Sequence, residues 1–573
     1  MRNIKSLLFI AGLSVLAASC KKELEVKNPN LPTPASAATE IGIYNLAQGG
    51  TYLNGFKNTK YSSDQLLPQF WGETITYHSI MGDETWQEAA NEYMNQLGAP
   101  FQVTLDNGTV VINPNAPQSQ IALIRQVNQN SYGYANPLFY EWAYMYALNN
   151  AMNNVLSIVP NVSFSGDSTT KQATIKAWAY YWKGYAYSRI GSLYYAGVVN
   201  NAVNPTDLAG PSPTNGSYVS HQGMILAASK CFDTATALIS AITDSSAFES
   251  VLGTVIPAIF QVGLGGAFTP SMLIRNINTM RARDILVNNN INNMTAAQWD
   301  SVLNYANNGI QQGDYVFTAR SDNNSTFMSA GGNLAAETTG DPNNTASFQV
   351  MERLIQDFQP GDYRFNNNFS LSTTGVFTYP DRSEAGGTRW QLLDGNPNNG
   401  VTGDSAAVLY PDSTAKYANT VLYCNTGVGA YELYLAGTYE ENELMKGEAN
   451  IYLNNISTGL KSIDNVRNYQ GANLAPLNSG LSLAAAKEQL RSERRIALMF
   501  RGIAFYDARR WGVIYSTANG GGRTGCWLID ANGNLNVNAT IDYNYLDYWD
   551  VPGNESAYNA AGSGSVPIIN PAN

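Results

Sequence analysis

The stretch RSERRIALMFRGIAFYDARRWG, residues 491–512, carries six arginines in a chain of which only 13% is charged. Arg491, Glu493, Arg494 and Arg495 interrupt a helical apolar face made by Leu490, Ala497 and Phe500, and mingle with Ile496, Met499 and Phe505. A solvated helix would keep its charges on one side. Arginine set among apolar side chains must be paired and hydrogen-bonded, because an uncompensated buried guanidinium is very costly. Partners are at hand. Glu493 and Asp507 lie within the stretch, and Glu443 and Glu448 sit upstream in an otherwise apolar helix with Leu444, Met445, Ala449 and Tyr452. A planar guanidinium grips a carboxylate through two parallel bonds, which explains Arg rather than Lys here. The pattern predicts an internal ion-pair framework of Glu448, Arg467, Glu493, Arg494, Arg495, Asp507, Arg509 and Arg510, not a ligand or nucleic-acid contact. The net charge of −11 points the same way, since a general nucleic-acid binder needs a basic face to displace counterions.

Helical periodicity recurs along the chain. In 138–156, Tyr140, Tyr144, Leu148, Met152 and Val155 share a face; 173–195 and 223–242 behave alike, and 271–312 reads as a helical pair. The spacing is roughly that of tetratricopeptide-type helix pairs, about 34 residues, with no strict repeat. Gly184 and Ala186 are small residues suited to helix crossings beside aromatics. From about 316 to 428, Gly, Asn, Ser, Thr and Pro dominate, which predicts long loops, and loops of that length usually carry function. Helical pattern returns at 437–455 and 481–511, and the tail from 516 to 573 again reads as loop. Trp178, Trp182, Trp299 and Trp511 fall on predicted helices, which points to the core.

The N-terminus, MRNIKSLLFIAGLSVLAASC, has a positive start at Arg2 and Lys5 and an apolar run over 7–18, too short for the roughly 20 residues a membrane span needs. Small residues lead directly to Cys20, so residues 1–19 look like a bacterial lipoprotein signal peptide, with Ala17 where Leu is usual. Cys20 would then be lipidated, tethering the protein to a membrane without spanning it. Residues 20–36 read as an extended tether, stiffened by Pro29, Pro32 and Pro34. Cys231, Cys424 and Cys526 remain and allow at most one disulfide.

Chemistry-bearing motifs are sparse. There is no GxxxxGK[ST], HExxH, GxSxG or CxxC, and Phe268 stands where a dinucleotide fingerprint beginning at Gly263 would need glycine. Two histidines, His78 and His221, leave little room for histidine metal sites or triads, and neither a metal nor a cofactor is expected. Glu73, Asp83 and Glu84 lie close together and read as solvated acids near a turn, with a catalytic carboxylate pair as the alternative.

The segments ELMKGEANIYL, IDNVRNYQGA and SERRIALMFRGIAFYDARRWG, in that order and spacing, resemble the C-terminal signature of the SusD/RagB family of outer-membrane nutrient-binding lipoproteins from Bacteroidota. The chain keeps the family's Glu448, Asn465, Val466, Arg467, Glu493, Arg494, Arg495, Phe500, Gly502, Asp507, Arg509, Arg510 and Trp511, and departs at Ala497 and Arg501, where acids are usual. The usual acidic ending is reduced to Val566-Pro567-Ile568. AWAYYWKGYAYSRIGSLYYAGVV and QWDSVLNYANNGIQQGDYVF match the N-terminal half, so the resemblance spans nearly the whole chain.

The resemblance implies a mainly α fold, an α/α superhelix of tetratricopeptide-like repeats with long irregular loops and minor β, divided into an N-terminal helical-repeat region (37–315) and a C-terminal region (316–573). It also implies a non-catalytic, outward-facing outer-membrane lipoprotein that binds oligosaccharide or peptide and passes it to a TonB-dependent (SusC-like) transporter. A surface glycosidase or peptidase using Asp83 or Glu84 is the alternative. By the resemblance, cargo contacts fall at about 65–100 and 316–400. Sugar rings stack on aromatic faces, which nominates Trp71, Tyr77, Trp86, Tyr93 and Trp390, with Trp86 foremost.

Overall fold

The computed structural model describes residues 37–52, 77–87, 93–201, 216–261, 263–320, 348–372, 375–378, 386–392 and 432–571. The signal peptide, Cys20, the tether, Trp71, Glu73 and Cys424 lie outside the described residues.

Helices dominate, and most begin where a short polar side chain can take an orphan backbone N–H. Asp167 accepts from Thr170 N at 3.0 Å and opens Ser168–Leu193; Ser220 accepts from Gly223 N and opens His221–Ser240. Thr269 does the same for Pro270–Val287, and Thr295 with Gln298 forms a capping box ahead of Ala296–Asn307. These helices pack in sequence: Phe139–Ile158 on Ser168–Leu193, that helix on His221–Ser240, and Pro270–Val287 on Ala296–Asn307. Close approach is required at Gly184, where a Cβ would stand 2.6 Å from the Phe232 ring. Ser168–Leu193 is buried almost all round, and Trp178, Tyr181 and Trp182 converge on Phe317 with ring centroids 5.7, 4.7 and 4.9 Å away.

The stack continues across the loop-rich middle. Tyr439–Tyr452 packs on Ala296–Asn307, on Ile456–Tyr469 and on Leu483–Ala497. The fold is mainly α, with tetratricopeptide-like helical pairs and little β structure. No helix among the described residues is long and apolar enough to cross a membrane.

Two sequence expectations need correction. The tail is not simply loop: Arg523–Ile529 and Leu535–Asp542 form a hairpin that joins Gln102–Thr104 and Val110–Ile112 in a four-stranded antiparallel sheet. The hairpin was legible in principle, because Asn532-Gly533 is a strong turn signal between alternating segments. Arg491 is not buried; its side chain is 39% exposed, with Glu488 3.8 Å away. Trp178, Trp182 and Trp299 are buried, while Trp511 is half-buried.

The remaining arginines of the 491–512 stretch link parts of the chain far apart in sequence. Asp507 receives Arg494 through Nε (2.9 Å) and Nη2 (3.1 Å) and Arg510 through Nε (2.7 Å). Arg510 also grips both Glu448 oxygens, at 2.6 and 2.8 Å. Glu493 takes Arg467 Nε at 2.8 Å and Arg364 Nη1 at 2.5 Å. Arg495 pairs with Asp357 and donates to the carbonyls of Gly82 and Asp83. Arg509 instead caps helices, donating to the carbonyls of Ser192 (2.7 Å) and Val287 (2.7 Å). Those carbonyls close two helices, so the cation sits at two negative dipole ends. Arg501, the departure from the family pattern, pairs with Glu440 at 3.1 Å. Glu443 serves Asn465 and Lys446 rather than an arginine.

Candidate ligand-binding face

Among the nominated aromatics, Tyr77 and Trp86 are buried, at 2% and 0% exposure. Trp86 sits in the Thr85–Gln87 strand opposite Gln349 and packs in a small cluster with Ala99 and Met351. Tyr77 packs edge-on against Tyr140 and Trp549. Neither ring offers a face to a ligand, so the expectation of a platform at Trp86 is corrected. A buried strand and a loop cannot be told apart from three residues of sequence. Tyr93 is half-buried at φ +61°, with its ring 6.2 Å from Tyr132.

Trp390 is different. It is half-buried at the start of Trp390–Leu392, which pairs antiparallel with Phe369–Leu371. Its backbone N–H donates to Thr388 Oγ1 at 3.0 Å, and its ring meets Phe365 edge-on at 4.9 Å. The next element in space is the Arg523–Ile529 strand, which carries the half-buried Trp527 between buried Cys526 and Leu528. Gln356 fixes that strand from both sides, donating to Gly525 O (3.2 Å) and accepting from Trp527 N (2.7 Å).

Arg389 lies between the two indoles, its guanidinium carbon 5.8 Å from the Trp390 ring and 5.9 Å from that of Trp527. Glu352, fully buried, holds it by accepting from Nε at 3.0 Å and from Nη2 at 2.8 Å. That bond raises the arginine's pKa further and keeps it charged throughout the physiological range. The result is a preorganised patch: two indole faces and a cation with its plane fixed by a buried acid. Such a patch can stack on the C–H face of a sugar and donate to its hydroxyls. Trp527 was missed from the sequence because the tail read as loop, although a Trp alternating with buried Cys526 and Leu528 is a strand signal.

The acids weighed for catalysis are not solvated; both are enclosed. Burial pushes Asp83 up, but the guanidiniums of Arg353, Arg523 and Arg495 outweigh it and hold the carboxyl below the usual range. Arg353 Nε and the Tyr543 hydroxyl donate to it at 2.6 and 2.5 Å. Burial pushes Glu84 up to about 8, and its carboxyl accepts from the Phe500 N–H at 2.9 Å. Among the described residues no group of three or more His, Cys, Asp or Glu is arranged to hold a metal ion. Cys231 and Cys526 are buried free thiols.

No protein-family profile matches the chain, and no curated protein does. Solved structures do. A SusD-like carbohydrate-binding protein from Bacteroides vulgatus aligns at TM-score 0.51 and 13% identity, over 94% of this chain and 99% of that one. A SusD superfamily protein from Parabacteroides distasonis aligns at 0.52 and 11%, over 92% and 98%. A crystal structure with a xylogluco-oligosaccharide aligns at 0.53 and 14%, over 94% and 99%. At such identities the likeness concerns the fold, and the fold is SusD-like.

Proposed function

We propose that this chain is a surface-exposed, non-catalytic lipoprotein of an outer membrane that binds a glycan at the Trp390–Arg389–Trp527 face. One observation carries the reading: two half-exposed indoles flank an arginine clamped by a buried glutamate, on a SusD-like scaffold. A similarly folded structure was solved with a xylogluco-oligosaccharide, which makes that class of glycan the first to try. Lipidation at Cys20 would hold the protein at the membrane surface, and a TonB-dependent (SusC-like) transporter would receive the cargo.

Magnitude favours weak binding. Two aromatic contacts burying about 150 Å² each give roughly 7 kcal/mol as an upper bound. Lost rigid-body freedom consumes much of that, so Kd falls between about micromolar and millimolar. Weakness suits a protein that hands its cargo on.

The test is calorimetry against xylogluco-oligosaccharides, other neutral glycans and peptides, with Trp390→Ala and Trp527→Ala beside the parent. Loss of binding in both folded variants is expected; unchanged affinity in both removes this face from the site. Peptide binding without glycan binding would replace the cargo class. Membrane attachment is read separately, as loss of acyl labelling in Cys20→Ala, and the transporter as a barrel protein recovered with the tagged, lipidated chain.

A further inference from the structure

A cavity of about 680 Å³ opens among the helices Phe139–Ile158, Ser168–Leu193 and His221–Ser240. Neither Trp390 nor Trp527 lines it. Leu156, Val199, Val219 and Leu226 give the wall an apolar stretch, the rings of Tyr180 and Tyr187 adjoin it, and Asn153, Ser157, Asn201 and Thr234 add polar groups. Among the described residues no Asp or Glu lines the cavity, and the charged side chains there are Lys183 and Lys230.

Lys183 is 2% exposed in the middle of its helix. Its ammonium donates to Asn149 Oδ1 at 2.7 Å, to Asn153 Oδ1 at 2.5 Å and, at a long 3.4 Å, to the Asn200 carbonyl. Among the described residues no carboxylate lies within ion-pairing distance of it. Several other buried cations have an acid: Arg189 has Glu141, Arg283 has Glu441, and Arg510 has Glu448 and Asp507, whereas Arg509 is held by the backbone carbonyls at two helix ends. Neutral amides solvate an ammonium but do not cancel its charge. An ammonium without an acid partner and with one long bond, beside an apolar stretch of wall and no acid among the described lining residues, is the complement of an anion on an apolar body.

We propose that this cavity binds a small amphiphilic carboxylate, its carboxylate beside Lys183 and its apolar body against Leu156, Val199, Val219 and Leu226. Two sources share that chemistry, a medium-chain aliphatic acid and the C-terminus of an apolar dipeptide, and a cavity of a few hundred Å³ admits either. The site is independent of the glycan face.

Burial pulls the Lys183 pKa down to about 8, so the ammonium is charged at neutral pH and lost just above it. The ionisable groups facing it are Cys231, whose thiol burial pushes up to about 11, Tyr187, which burial also pushes up and whose ring is 5.2 Å away, and Tyr180 and Lys230 in the wall.

Calorimetry with octanoate, N-acetyl-Leu-Leu, octanamide and galacturonate tests the proposal on the full folded chain. At about pH 6.5, octanoate or N-acetyl-Leu-Leu should bind at least about tenfold more tightly than octanamide and galacturonate, and the tighter of the two acids names the source. The acids stay ionised on raising the pH to about 9.5, so a further drop of about tenfold reports deprotonation of Lys183. Lys183→Met should abolish binding. Should that variant not fold, Leu226→Glu, at a position 57% exposed on the rim, should weaken the acids about fivefold with the fold intact. Octanamide binding as well as octanoate, no acid binding at about 10 mM, or indifference to Leu226→Glu overturns the proposal. Trp527→Ala should leave octanoate binding unchanged, so failure of the glycan reading would be seen separately.

Discussion

Arg510 and Arg389 are each gripped by both oxygens of a fully buried glutamate, Glu448 and Glu352, and yet they belong to different kinds of structure. Arg510 is 1% exposed, shares Asp507 with Arg494, and has its charge cancelled inside the protein. Arg389 is 28% exposed, has Glu352 as its acid, and keeps an indole on either side. In the first, every donor is turned inward and removing a partner strands a charge in a dry interior. In the second, the glutamate sets the orientation of a group whose remaining surface faces outward. The same ion pair therefore acts as scaffold or as presentation, according to what lies on the cation's other side.

The sharpest way to break the contrast is Glu448→Ala. It leaves Arg510 short of an acid and should cost about 3–5 kcal/mol, read by denaturant melts, with glycan affinity per folded molecule unchanged. Normal stability with lost binding would move the C-terminal arginines into the site. Trp527→Ala should do the reverse, lowering glycan affinity about tenfold, near 1.4 kcal/mol, while the melting midpoint stays close to the parent's. Glu352→Gln keeps the shape and loses the charge. Because Arg389 is partly solvated, the stability loss should be only about 1 kcal/mol, with a several-fold loss of affinity as the guanidinium loses its fixed plane.

A further effect concerns pH and belongs to the scaffold. Glu84 has a folded pKa of about 8 against an ordinary 4.5, because burial disfavours its charged form. A raised carboxyl pKa favours the fold in acid and loses that contribution as pH rises from the unfolded value through the folded one. Stability should therefore decline between about pH 5 and 8, and Glu84→Gln, which mimics the protonated acid, should flatten that slope. An unchanged slope in the variant would show that Glu84 is not protonated in the fold. The glycan affinity of Glu84→Gln should match the parent's, since Glu84 is 1% exposed.

Much of the scaffold was legible because its signals are local or repeat often. Helical period located Phe139–Ile158, Ser168–Leu193 and His221–Ser240 to within a few residues. Short helices escaped, among them Ser245–Val255, and so did the terminal hairpin, because the Gly and Asn in its turn and just before it gave the segment a loop composition. The candidate site was much less legible. Trp86 and Trp390 look alike in sequence, each a lone Trp in a polar setting, yet one is walled in by Ala99 and Met351 and the other is half-open.

By itself, the sequence called for an internal ion-pair framework of Glu448, Arg467, Glu493, Arg494, Arg495, Asp507, Arg509 and Arg510. Guanidiniums set among apolar side chains must find acids or carbonyls to accept their bonds, because leaving one uncompensated is costly. The tertiary structure alone decided which acid takes which arginine: Arg364 and Asp357, which complete the set, come from a segment more than a hundred residues upstream of Glu493 and Arg495. It alone set Arg389 beside Trp527, from strands far apart in the chain. Lys183 belongs to the same category. Nothing in AWAYYWKGYAY says that no acid among the described residues pairs with it, because a missing neighbour is a property of packing in three dimensions and leaves no local trace.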